Sequence, residues 1–190
     1  MTHPNDRQER FSLIELMIVV AVLGIFAMLA GPCMVEFIDK RRLASQAKTI
    51  SELLQQARSE AIKHSSDATP KTVTATVSPT GSWFVGLSNT GTTACDNGAT
   101  PCTINQAGVD VTRLVTATEC PGCTITSPTA VATIIYDLRG VVTDGAGGEG
   151  AARTITPLST RGKQLQISVS TIGRITLWTP SASVPGYPSC

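Results

Sequence analysis

The chain begins with a short polar stretch that gives way abruptly to a long apolar one. Residues 1–10 are mostly polar or charged, whereas residues 11–31 contain one ionisable side chain, Glu15. As a helix that rises about 1.5 Å per residue, the apolar segment would reach roughly 31 Å, close to the ~30 Å hydrocarbon core of a bilayer. The pattern therefore predicts a helix that can cross a membrane once.

Three kinds of segment have to be distinguished here. A cleaved signal peptide has a shorter apolar core, about 7–15 residues, followed by a small-residue cut site. A permanent anchor explains the length but not Glu15, because a carboxylate at the centre of a membrane helix costs at least about 2.5 kcal/mol. The third is a helix that stays in the membrane temporarily, with Glu15 facing an amine that a cut before Phe11 would create. We favour the third.

After Pro32 the apolar positions recur at helical spacing. They return every three or four residues, while most charged residues lie elsewhere on the helical wheel. The helix should end at about His64, since Pro70 and a run of small polar residues follow. The predicted buried positions are Leu43, Ala47, Ile50, Leu54, Ala57 and Ala61.

Thr, Ser, Gly and Ala dominate the chain after about residue 70, a composition that favours a β-rich body. We predict a hairpin from residues 71–77 and 83–87 around Pro79-Thr80-Gly81, followed by a polar surface loop at residues 88–108. Further strands are predicted at residues 109–116, 130–137, 164–170 and 174–178.

The chain has six cysteines, which together with an export segment indicate an oxidising compartment. Cys33 borders the apolar run and is interpreted as a small buried residue. Of the other five, Cys95 and Cys102 would close a polar loop, Cys120 and Cys123 bracket a Pro-Gly turn, and Cys190 has no obvious mate. A zinc site is the alternative for these thiols, but the spacing lacks two well-separated C-x-x-C pairs. We therefore predict disulfides and no metal.

No catalytic arrangement can be assembled from the sequence. The two histidines, His3 and His64, lie near the start of the chain and at a helix end, and Asp137 and Asp144 are interpreted as turn residues. With a net charge of +1, no overall field attracts the chain to nucleic acid. We expect neither an enzyme nor a cofactor.

The segment Phe11-Ser12-Leu13-Ile14-Glu15-Leu16 resembles the motif of type IV pilins and type II secretion pseudopilins. The resemblance implies that a prepilin peptidase cuts between Arg10 and Phe11 and methylates the new amine of Phe11. It also implies that Glu15 meets the amine of a neighbouring subunit during assembly, and that Pro32 kinks the helix. The family normally has glycine before the cut, so Arg10 should slow the cleavage.

The later part of the chain is similar to the FimT/GspH group of minor pilins and pseudopilins. The similarity is carried by Trp83, by Ile134-Ile135-Tyr136-Asp137 before Arg139-Gly140, and by Ile172-Gly173-Arg174. Some FimT-like pilins bind DNA through a Gly-Arg-x-Arg tail, which makes Arg174 a candidate DNA contact. Thr176 stands in place of the second arginine, and losing a phosphate contact lowers affinity.

Together these features predict an α+β pilin fold, in which a long N-terminal helix, half transmembrane and half amphipathic, packs on an antiparallel sheet. We divide the chain into a leader at 1–10, an assembly helix at 11–32, its amphipathic continuation at 33–66 and a globular body at 67–190. The expected role is that of a minor subunit, at the tip or in assembly priming, of a type IV pilus or a type II secretion pseudopilus. The implied partners are other pilins or pseudopilins, the prepilin peptidase and the inner membrane, and DNA is the alternative partner. From the inner membrane the chain is expected to move into a pilus or pseudopilus in the periplasm or at the cell surface.

Overall fold

The computed structural model describes residues 12–64, 71–79, 81–90, 93–96, 98–106, 108–127, 132–146, 148–180 and 184–189, without the side chains of residues 29–33. Contacts between Cα atoms divide the chain into two compact units, Met1–Ile38 and Asp39–Cys190. One helix, α1 (Leu13–Lys63), contributes residues to both units.

The ends of α1 follow from local chemistry. At its start, the carbonyl of Ser12 accepts hydrogen bonds from the N–H groups of Glu15 and Leu16, and Glu15 places an acidic group in the first turn. At its end, Lys63 is a basic residue in the last turn and its Nζ lies 2.8 Å from Glu60 Oε1. Both charges complement the helix dipole. The end at Lys63 agrees with the predicted end at about His64.

The second half of α1 buries the face that the sequence predicts. All six predicted positions have no exposed surface, and they belong to one core cluster together with side chains from the sheets. Burying a large aliphatic side chain contributes about 1.5–3 kcal/mol, so this face is a main source of stability for the unit that contains it. The six residues are Leu43, Ala47, Ile50, Leu54, Ala57 and Ala61.

The body contains three antiparallel sheets within the described residues. A five-stranded sheet has the order β5-β2-β1-β7-β8, a four-stranded sheet has the order β11-β10-β9-β6, and β3 pairs with β4. A short 3-10 helix, Ala117–Glu119, follows β5. The strands are β1 (Val73–Ser78), β2 (Phe84–Ser88), β3 (Thr103–Gln106), β4 (Val109–Thr112), β5 (Leu114–Thr116), β6 (Thr124–Thr126), β7 (Ala132–Tyr136), β8 (Val142–Thr143), β9 (Arg153–Leu158), β10 (Gln166–Val169) and β11 (Ile175–Trp178).

Strand β1 lies at the centre of the five-stranded sheet and is buried on both faces. Val73, Ala75 and Val77 join the same core cluster as the helix. Because side chains alternate along a strand, Thr74 and Thr76 point to the opposite face, and both are buried as well. The predicted hairpin is confirmed, since β1 and β2 pair along their length.

The predicted surface loop at residues 88–108 is wrong. This segment contains β3, and it buries Asn89, Cys95, Cys102 and Ile104. The N–H of Cys95 donates to Thr76 Oγ1 at 3.1 Å, which places the segment on the second face of β1. The polar composition concealed this role, because the buried contacts come from a disulfide and from hydrogen bonds rather than from an apolar run.

The other strand predictions were partly right. Strands β7, β10 and β11 lie within predicted ranges, whereas the predicted strand at 109–116 is two strands separated by Arg113. There the carbonyl of Arg113 accepts from Leu87 N–H, and its own N–H donates to Cys102 O. Strands β6, β8 and β9 were not predicted; β6 and β8 are short, and β9 contains Pro157.

Candidate functional site

The first half of α1 exposes an unusual amount of apolar surface. The large apolar side chains from Leu13 to Met28 are between 44% and 83% exposed. Contiguous apolar surface of this extent marks an interaction site in a protein or a membrane. Among the residues that the structure describes, no helical stretch is long and apolar enough to cross a membrane.

Glu15 interrupts this apolar row within the first turn of α1, and its side chain is exposed. Arg10 and Phe11, the predicted cleavage pair, lie outside the described residues, as does Cys190. Position 32 lies within α1, but the side chain of Pro32 is outside the description, so the kink stays a prediction.

Four of the five cysteines of the body form two disulfides, Cys95–Cys102 and Cys120–Cys123. The first disulfide packs against Gly86 of β2. The second closes a turn, and the carbonyl of Cys123 in that turn accepts a hydrogen bond from Trp83 Nε1 at 2.7 Å. Since all four sulfurs are bonded in pairs, they are not available as zinc ligands. Among the described residues, no group of three or more His, Cys, Asp or Glu side chains is placed to hold a metal ion.

Arg174 lines a groove of about 440 Å³ between α1 and the start of β11. It follows the β10–β11 turn, in which its carbonyl accepts from Ser170 N–H at 2.9 Å, and its side chain is exposed. The seven lining residues include two arginines and no acidic side chain; they are Gln55, Arg58, Ser59, Ile62, Gly173, Arg174 and Ile175.

Arg58 is the second arginine of the groove and is half-buried. Its Nε donates to the carbonyl of Gly140 at 3.0 Å, which joins α1 to the turn after β7. Gly140 (φ +73°) and Gly173 (φ +74°) both adopt the left-handed conformation and pack against Arg58. A Cβ at Gly140 would lie 3.0 Å from Arg58 Nε, so the two turns close on the arginine only because both positions lack a side chain.

The turn after β7 is held by Asp137. Its Oδ1 accepts from the N–H groups of Arg139 and Val141, and its Oδ2 lies 2.8 Å from Arg139 Nε. Partial burial acts to raise the pKa of this carboxyl, but the hydrogen bonds from Val141 and Arg139 outweigh it and lower the pKa. The interpretation of Asp137 as a turn residue is therefore confirmed. Burial raises the pKa of the neighbouring Tyr136 hydroxyl, and the charge of Arg58 partly opposes this.

Sequence reasoning found Arg174 but missed Arg58, Gln55 and Ile62. These residues lie on α1 and meet Arg174 only after the chain has folded, since Arg58 and Gly140 are 82 positions apart. One signal was present in the sequence: Arg58 directly follows the buried Ala57, at the border of the apolar face of the helix.

Comparison with protein-family models gives a match to "Type II transport protein GspH" over residues 46–173 of the 190. The matched region begins in the second half of α1 and ends at Gly173, so it contains both disulfides and most of the groove.

Among solved structures, the chain is similar to the type IV minor pilin FimU of Pseudomonas aeruginosa. The two share 20% identity, the alignment covers 80% of this chain and 98% of that chain, and the TM-score is 0.49. No curated protein matches the sequence.

Proposed function

Because this chain belongs to the GspH family, within the type IV pilin and pseudopilin superfamily, we propose that it is a minor structural subunit of a type IV pilus or a type II secretion pseudopilus. The role is structural rather than enzymatic, at the tip of the filament or in the priming of its assembly. The observation that carries the proposal is the row of exposed apolar side chains in the first half of α1, interrupted by the single carboxylate of Glu15.

The proposed route begins with a single pass through the inner membrane and ends in a filament at the periplasm or cell surface. Lipid would cover the apolar half of α1 first, and the helices of neighbouring subunits would cover it later. A buried carboxylate is tolerated when an ammonium group compensates it, so Glu15 would admit a neighbour only in the register that presents an amine. The methylated amine of Phe11 is the proposed partner.

This proposal can be tested by identifying the N-terminal residue of the protein isolated from membranes. Mass spectrometry of the chain, isolated from cells with an active prepilin peptidase, should find it beginning at methylated Phe11. Arg10 should slow the cut, so replacing Arg10 with Gly should raise the processed fraction. An intact leader in both proteins would refute the processing step.

DNA binding is the second candidate function, and the exposed side chain of Arg174 beside Arg58 is the observation that favours it. The full chain in detergent should then retard DNA at low salt, and Arg174→Ala should abolish the effect. Counterion release makes such binding fall steeply with salt. Absence of retardation at low salt would reject DNA binding.

A further inference from the structure

The outer edge of β11 borders the groove that contains Arg58 and Arg174. Strand β11 is the terminal strand of the four-stranded sheet. Directly after it, the N–H of Thr179 donates to the carbonyl of Pro188 on the outer side, but along Ile175–Trp178 no strand among the described residues pairs there. Ile175 itself lines the groove, which α1 bounds on the other side. An edge strand presents unpaired N–H and C=O groups, so it can accept one further strand.

The ladder between β10 and β11 shows which backbone groups face outward. Arg174 O accepts from Ser170 N–H, and Thr176 and Trp178 then pair with Ser168 and Gln166. Hydrogen-bonded pairs alternate along an antiparallel ladder, so the N–H and C=O groups of Ile175 and Leu177 point away from β10. These two residues form the edge that an added strand would meet.

The groove beside this edge carries positive charge without a compensating acid. The side chain of Arg174 makes no hydrogen bond or ion pair with the described residues, and Arg58 makes one hydrogen bond, to Gly140 O. Because Arg58 and Arg174 both line the groove, an acceptor that enters it can reach their remaining N–H groups. A carboxylate matches the geometry of a guanidinium group, because its two oxygens can accept two parallel N–H hydrogen bonds.

Two isoleucines expose apolar surface at the groove: Ile62 lines it, and Ile172 directly precedes the lining residue Gly173. Ile62 on α1 is 44% exposed, and Ile172 in the β10–β11 turn is 63% exposed. An occupant that covers them would bury apolar area in addition to its polar contacts, and this burial favours binding.

We propose that this groove binds an extended, carboxylate-bearing segment of another protein, which adds as a strand to the outer edge of β11. Backbone pairing with Ile175 and Leu177 gives affinity, and the carboxylate between Arg58 and Arg174 fixes the register. A polypeptide suits the groove better than DNA, because it supplies backbone amides for the strand edge and apolar side chains for the two isoleucines. The proposal is independent of the filament role, and it holds whichever machine the chain serves.

A short peptide provides the probe. We would titrate the full chain in detergent micelles with a labelled, acetylated eight-residue peptide of alternating threonine and valine with one central aspartate. Saturable binding is expected, and amide exchange at Ile175 and Leu177 should slow at least tenfold while Thr176 and Trp178 change little. Replacing the aspartate with asparagine should weaken binding by about tenfold, as expected for one charge-assisted hydrogen bond.

Protein variants locate the site. Arg174→Gln should weaken binding by about tenfold, because its exposed guanidinium would contact the carboxylate. Arg161→Gln is the matched control, since Arg161 is an exposed arginine in the β9–β10 turn and does not line the groove. The control should bind as the unchanged chain does, and the fold of both variants is checked by circular dichroism.

Several outcomes would overturn the proposal. Three of them are absence of saturable binding, equal weakening by Arg161→Gln and Arg174→Gln, and unchanged amide exchange at Ile175 and Leu177. A fourth is displacement of the peptide by an oligothymidylate that itself binds, which would assign the groove to nucleic acid.

Discussion

At Gly86, one missing side chain allows a disulfide to rest on the sheet. A Cβ there would lie 2.7 Å from Cys102 Cβ and 2.9 Å from Cys95 Sγ, both too close for ordinary contact. We expect Gly86→Ala to lower the free energy of unfolding by about 1–3 kcal/mol, since the disulfide or the strand must move. Denaturant unfolding of the oxidised chain measures this. Gly98→Ala is the control, because its Cβ would lie 3.7 Å from the nearest atom, Asp96 Oδ1; an equal loss in both variants would contradict the explanation.

The carboxylate of Asp137 should make stability depend on pH. Its pKa is lowered in the fold, because hydrogen bonds from Val141 and Arg139 outweigh the opposing effect of burial. A lowered pKa contributes stability that is fully present above the unfolded value of about 3.9 and is lost as pH falls through the folded value. Asp137→Ala should therefore be less stable than the unchanged chain at pH 7, and the difference should shrink below about pH 4. Thermal unfolding from neutral to acid pH tests this, and a constant difference would contradict it.

Single residues differed in how far the sequence could predict them. The six buried helix positions and the turn role of Asp137 follow from periodicity and from side-chain chemistry close in sequence. Arg58 and Gly86 acquire their roles from partners that are distant in the chain or held by a disulfide. No local pattern specifies such contacts.

At the scale of elements, the amphipathic half of α1 is the part of the body that the sequence defines best. Leu54→Ala removes a fully buried side chain from its apolar face, and we expect a loss of about 2–5 kcal/mol in the free energy of unfolding. Gln56→Ala, on the exposed face of the same helix, should change stability by less than about 0.5 kcal/mol. Chemical denaturation of both variants provides the comparison, and similar losses would show that this face does not hold the unit together.

The strands were predicted less completely than the helix. Strands with clear alternation or a buried apolar run, such as β1, β2 and β7, were found. The sequence predicts the Cys95–Cys102 disulfide but not strand β3, because nothing in the polar segment shows that this disulfide packs on Gly86 of the sheet. The position of that segment is set by the packing of its disulfide on Gly86 and by the hydrogen bond from Cys95 to Thr76, neither of which the composition shows.

At the scale of the whole molecule, Glu15 connects the chemistry of one side chain to assembly. Glu15→Ala should leave membrane insertion intact, because it removes a charge from an apolar segment. Incorporation into filaments should fall at least tenfold, since the group that selects the register is lost. Glu52→Ala is the matched control on α1, where Glu52 forms an exposed ion pair with Lys48. Unchanged incorporation of Glu15→Ala, measured in sheared filament fractions, would remove the proposed role.

The family could be predicted from the N-terminal motif and from the residues around Trp83, Ile134 and Gly173, and the family comparison over residues 46–173 confirms the prediction. The groove could not be predicted as a whole. It forms where α1, the turn at Gly140 and the β10–β11 turn meet, and each contributes residues that are unremarkable in their own segment.

The indole of Trp83 gives this protein its own optical probe. It is 2% exposed and bonded to the carbonyl of Cys123, whereas Trp178, the other tryptophan, is partly exposed in the folded chain. Loosening of the Cys120–Cys123 turn would bring water to Trp83 and shift its emission to longer wavelength. Fluorescence from a Trp178→Phe variant would then follow that corner of the body in real time, without any attached dye.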